Sequence, residues 1–128
     1  MAGYNGIASW NRTTNKGMCG TWDNNKNVAA YPHVFQMNSG TCDLTGCNKP
    51  LVKLNCGSQL LVSQPCSNKS VNVNIADCGP AMSNYCSDTG VYCKQNYFQG
   101  RLIDLSPTAF AALGDLDHGT MTVRVEYS

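Results

Sequence analysis

The chain reads as an all-β protein, most simply a closed barrel with one clear helix. Two alternating segments and one well-punctuated helix predict this. Val71, Val73 and Ile75 alternate with Asn72 and Asn74, and Met121, Val123, Val125 and Tyr127 alternate with Thr122, Arg124 and Glu126. Both have the period-2 pattern of a half-buried strand. Between them Ser106 suits an N-cap, Pro107 the first helical turn and Gly114 a left-handed C-cap, while Phe110 and Leu113 give the helix one apolar face.

From the N-terminus, Gly3–Trp10 is expected as a first strand, with Ile7 and Trp10 its larger apolar residues. Residues 11–27 form a polar loop interrupted by Cys19 and Trp22. Residues 28–37 suit a short strand running into a helical turn near Pro32. Residues 50–54 and 59–63 suit two short strands around a turn at 55–58. Lys69–Ala76 is the first of the clear alternations. Residues 82–99 lack periodicity and hold two cysteines, the pattern of a long surface loop pinned by a bridge. The run Gly100–Tyr127 then supplies a strand, the helix and the last strand. Within it Ile103 and Leu105 are expected to point inward, sending Leu102 and Asp104 to the opposite face.

At 128 residues the chain bounds one domain, residues 1–128, with a single modest core. A net charge of +1 and 13% charged residues leave too little positive charge to steer it onto nucleic acid or anionic lipid. No apolar run approaches the roughly 20 residues of a membrane span. A neutral Asn- and Ser-rich surface suits an uncharged partner such as a glucan and equally suits an inert secreted protein; a monomer is expected. Met1 stands directly before a strand-like start and is read as an initiator on a mature sequence.

Eight cysteines (Cys19, Cys42, Cys47, Cys56, Cys66, Cys78, Cys86 and Cys93) point to an oxidising compartment and four disulfides, their pairing open. The Cys42–Cys47 spacing alone would allow a zinc knuckle, but Cys86 and Cys93 are too far apart to match it, and His33 and His118 lie in unrelated segments. No metal and no cofactor are expected. Sequons occur at Asn11 and Asn68, triplets that arise often by chance in Asn-rich chains. A glycan on Asn11 would crowd the groove described below.

The run GRLIDLSPTAFAALGDLDHGTMTVRVEY resembles the end of a double-psi β-barrel of the expansin and rare-lipoprotein-A group. VNVNIADCGP at Val71–Pro80 resembles the group's other marker, a strand ending in Asp. Gly3–Trp10, Met18-Cys19-Gly20 and Val28–Phe35 are similar to its first third. The resemblance implies a six-stranded double-psi barrel with one or two short helices and disulfide-braced loops.

It also implies roles. Asp104, a lone acid in an apolar strand, matches the Asp that expansins need for wall loosening and the general acid of family 45 glycoside hydrolases. Its structural reading is a brace for the helix that follows. Asp77 matches an Asp beside the same groove, although an Asx-type turn residue would read the same way. Gly79 stands where the group often has an aromatic. The family 45 base follows the first strand, where this chain has Asn11, and an amide is no general base near neutral pH. Trp10 and Trp22 are the stacking candidates, Trp10 equally readable as core and Trp22 read as the more exposed of the two, followed by Tyr31, Tyr92 and Tyr97. The implied function is a secreted, single-domain, loosenin-like protein that binds and loosens cell-wall polysaccharide without hydrolysis. The alternatives are an inhibitor of papain-like cysteine proteases, contacting its target through residues 40–50 and 82–98, and a family 45-type endoglucanase with an unconventional base.

Overall fold

The computed structural model describes residues 2–36, 40–47, 51–87, 90–92, 96–98 and 100–128, with backbone only at 36, 87, 90–92 and 96–98. The strands are β1 (Ala2–Trp10), β2 (Val28–Tyr31), β3 (His33–Gln36), β4 (Gly40–Asp43), β5 (Leu54–Asn55), β6 (Gln59–Gln64), β7 (Lys69–Cys78), β8 (Gly90–Tyr92), β9 (Asn96–Phe98), β10 (Arg101–Leu105) and β11 (Thr120–Tyr127). The helices are α1 (Met82–Ser87) and α2 (Pro107–Leu113), with a 3-10 turn at Leu116–His118.

Six strands close a barrel in the order β1-β10-β2-β7-β6-β11. The pairs β1/β10 and β2/β7 are parallel and the other four antiparallel. A second sheet, β4-β3-β5, and the hairpin β8-β9 are appended to it. The alternating residues fill the interior as their pattern requires: Val73, Ile75, Val123 and Val125 are fully buried with Ile103 and Leu105.

Helix α2 follows its sequence signals at one end. Ser106 is its N-cap: its Oγ accepts from the Ala109 N–H at 3.2 Å and donates to the Lys26 carbonyl at 2.6 Å. Phe110 and Leu113 are buried on the face turned to the barrel. At the other end Gly114 is extended rather than left-handed, with φ −176°, and its N–H bonds to the Phe110 carbonyl.

Three local expectations are corrected. Residues 28–36 make no helical turn, because β2 and β3 are separate strands meeting at Pro32, one in the barrel and one in the outer sheet. The two strands expected around residues 55–58 do not pair with each other. β5 lies parallel to β3, whereas β6 enters the barrel beside β7. Residues 82–99 are not a plain loop, since α1, β8 and β9 form within them.

The cysteines form disulfides, as expected. Cys19–Cys56, Cys42–Cys78 and Cys47–Cys86 are bridged and Cys66 is also disulfide-bonded, while Cys93 lies outside the described residues. With Cys42 and Cys47 bonded to different partners, neither is left for a shared zinc site.

Ser106 is fully buried, so its hydroxyl carries the α2 cap and a tie to residue 26 without water to replace either. Ser106→Ala is expected to cost about 1–3 kcal/mol, read as a lower chemical-denaturation midpoint. A change of only a few tenths would contradict this role.

Candidate functional site

The two parallel pairs of the barrel, β1/β10 and β2/β7, each carry a register shift that sets the site. Along β1/β10 the pairing steps from Ile7↔Arg101 to Ala8↔Ile103, so Leu102 is inserted and Ser9 falls opposite Asp104. Along β2/β7 it steps from Ala29↔Ile75 to Ala30↔Asp77, so Ala76 is the inserted residue. Asp104 itself pairs with Ala30. One row therefore crosses four adjacent strands: Ser9, Asp104, Ala30, Asp77. At the usual strand spacing, the two acids have Cα atoms about 10 Å apart.

Asp104 is half-buried. Ser9, itself 8% exposed, donates its hydroxyl to Asp104 Oδ1. No described residue bonds Oδ2, and a Cβ built on Gly79 would lie 3.5 Å from that oxygen and 3.4 Å from the Ala30 methyl. Among the described residues, the Ala30 methyl and the bare Gly79 backbone therefore lie beside Oδ2. Burial raises the Asp104 pKa above its ordinary value, with the Asp77 charge adding to the rise; the Ser9 bond and Arg101 oppose it. Asp104 does not cap α2, a task held by Ser106.

Asp77 is committed to a turn. Its Oδ1 accepts from the backbone N–H groups of Met18 and Cys78, both at 2.8 Å. The turn reaches it because Gly17 has φ +72° and a Cβ there would lie 2.5 Å from the Ala76 carbonyl oxygen. Only glycine fits that approach.

The aromatic candidates fare differently. Trp22 is not an exposed stacking ring. It is 3% exposed, packs with Val28, Ala76 and Ala30, the last a member of the acid row, and its Nε1 donates to Asn24 Oδ1 at 2.9 Å. Tyr31 is buried too, its hydroxyl donating to the Val52 carbonyl at 2.7 Å. Trp10 is half-buried against the core with Nε1 bonded to the Leu116 carbonyl at 2.9 Å. The side chains of Tyr92 and Tyr97 lie outside the described residues. Asn11 is exposed, and its N–H bonds the Leu105 carbonyl at 2.9 Å, extending the β1/β10 ladder past Ser9 and Asp104. Sequence reasoning missed Ser9, although a lone hydroxyl inside the apolar stretch Ile7–Trp10 was the available signal.

A family model described as lytic transglycolase matches residues 5–125. Together with the closed six-stranded barrel, that match decides the assignment. The chain is an expansin-like double-psi β-barrel of this family. The barrel superposes on the expansin of Clavibacter michiganensis with a TM-score of 0.56 and 21% identity, covering 99% of this chain and 50% of that one. A variant of that expansin in complex with cellohexaose gives 0.55 and 21%, with the same coverage. The Streptomyces papain inhibitor gives 0.56 and 20%, covering 99% of this chain and 92% of that one. The double-psi barrel thus spans about half the length of the expansin and nearly all of the inhibitor. No curated protein sequence matches it significantly.

The raised pKa fixes a sign. Between the ordinary carboxylate range and the folded-state pKa of Asp104, the folded chain holds a proton that the unfolded chain has lost. Asp104 therefore takes stability away as pH rises through that window, and Asp104→Asn should abolish this part of the pH dependence. A ¹³C carboxyl titration should place Asp104 above ordinary aspartates, and Ser9→Ala, by removing an opposing bond, should move it further up. A Ser9→Ala titration that shifts downward would contradict the assignment.

Proposed function

We propose that this barrel is secreted and acts as a monomer of one domain, binding cell-wall polysaccharide of the glucan type at the acid row and loosening it without hydrolysis. The observation that carries this reading is the state of Asp104. One carboxyl oxygen is held by Ser9, and the other has no partner among the described residues. An oxygen so presented can accept a hydroxyl that otherwise bonds one glucan chain to the next. A charge-assisted bond of that kind is worth roughly 1.5–3 kcal/mol, enough to compete for one inter-chain bond. The disulfides fit the oxidising compartment that a secreted protein passes through.

Hydrolysis by inversion would need a second carboxylate about 6.5–9.5 Å from the acid to activate water. Asn11 has no such group, and Asp77 spends one oxygen on the Met18 and Cys78 N–H groups. The cellohexaose complex of the Clavibacter expansin variant supports a glucan as ligand for this fold. With Trp22 and Tyr31 buried, contact here would rest on hydrogen bonds and on Trp10 more than on a broad aromatic platform.

One observation favours a second reading. The papain inhibitor is matched over 92% of its length, a single barrel of the same size. In that case the segments joined by Cys47–Cys86 would meet a cysteine protease, and Asp104 would be structural.

Wild type and Asp104→Ala are to be compared for weakening of cellulose paper, with soluble sugars assayed in parallel. Weakening by wild type, release of no soluble fragments, and loss of most of the effect in the variant are expected. Equal behaviour of the two proteins would refute the role of Asp104, and released fragments would make the protein a glycan-cleaving enzyme. Nanomolar inhibition of papain that survives Asp104→Ala would establish the second reading instead.

A further inference from the structure

A cleft of about 350 Å³ is lined by the end of α2, the β6–β7 turn, Met121 of β11 and His118 of the 3-10 turn. Two residues before His118, the Leu116 carbonyl accepts from Trp10 Nε1. The two β11 residues Thr120 and Met121 pair with Ser9 and Ala8, so the cleft begins one strand beyond the acid row and excludes Asp104 and Asp77.

Its floor is apolar. Leu113 is 2% exposed at the end of α2. Met121 lies across the bare backbone of Gly114, where a Cβ would come within 2.7 Å of the Met121 Cε. The β6–β7 turn forms the facing wall, with the bonded sulfur of Cys66 adding soft apolar surface. The rim has a different chemistry. Lys69 and His118 line it, both exposed, and neither side chain bonds any described residue. Among the described residues no carboxylate lines the cleft, and Asp115 and Asp117 are not among its walls. An ammonium and an imidazole over a thioether-and-leucine floor complement a molecule with the opposite partition, an anionic head on a compact apolar body.

We propose that this cleft is a second ligand site, distinct from the acid row, that takes a small organic carboxylate with an aromatic or aliphatic body. Lys69 and His118 receive the carboxylate and the body rests on Leu113 and Met121. The volume sits at the small end of ligand pockets, about 300–1,000 Å³, a size that suits a single small molecule.

The test is an NMR titration of the full chain with 3-phenylpropionate and, separately, its uncharged amide. The carboxylate should saturate, move the resonances of Lys69, Leu113, His118 and Met121, and bind about tenfold tighter than the amide. Lys69→Met and His118→Gln, both at exposed positions, should each reduce that preference while thermal unfolding stays unchanged. Equal affinity for acid and amide, shifts confined to other residues, or a preference intact in both variants would overturn the proposal.

Discussion

The acid end of this barrel depends on two inserted residues. Leu102 in β10 and Ala76 in β7 each interrupt a parallel pair, and each shifts the pairing by one position. A one-residue shift exchanges the two faces of a strand. Without the first insertion, Ser9 would stand opposite Ile103 and Asp104 would lose the hydroxyl that orients it. Without the second, Ala76 and not Asp77 would stand opposite Ala30. Leu102 is nevertheless well buried, against Gly6, where a Cβ would fall 2.5 Å from its own. The insertions are thus absorbed by small residues nearby, and the row survives without an open defect in the core.

Around that row the loops are held from several directions. Cys19–Cys56 anchors the segment carrying Met18, and Cys42–Cys78 anchors the residue after Asp77. Asp77 then joins the two by accepting both backbone N–H groups on one oxygen. Trp22 covers Val28, Ala30 and Ala76 in the same region. Bridges limit the freedom of the unfolded chain, and buried contacts fix what remains. The consequence is a division of labour between the acids: Asp77 holds the loop through two backbone N–H groups, whereas among the described residues Asp104 is bonded by the Ser9 hydroxyl alone.

Much of the barrel was legible because alternation is a direct physical signal. Val71 to Ile75 and Val123 to Tyr127 had one apolar and one polar face each, and Ser106 and Pro107 announced α2. Asp104 stood out as a charge among Leu102, Ile103 and Leu105. What sequence could not carry was pairing. Leu54 and Leu60 sit in adjacent strands along the chain, yet they belong to different sheets, because β5 finds its partner in β3 across the molecule. The two insertions leave no local signature, since Leu102 and Ala76 are ordinary apolar residues in apolar strands. Trp22 was ambiguous for a related reason. A tryptophan in a polar loop can face water or fold back, and its burial follows from the small residues Ala30 and Ala76 that only the fold brings beneath it.

The functional reading follows from the same asymmetry between the acids. A carboxyl that burial pushes toward its protonated form, opposed among the described residues by the Ser9 hydroxyl and the Arg101 charge, is sensitive to any further donor that reaches it. A glucan hydroxyl arriving at Oδ2 would favour the ionised form. The direct measurement is the ¹³C carboxyl titration of Asp104 with and without saturating cellohexaose. The account predicts that the sugar lowers the Asp104 pKa while other aspartates stay where they were; a titration curve for Asp104 unmoved by bound sugar would contradict it.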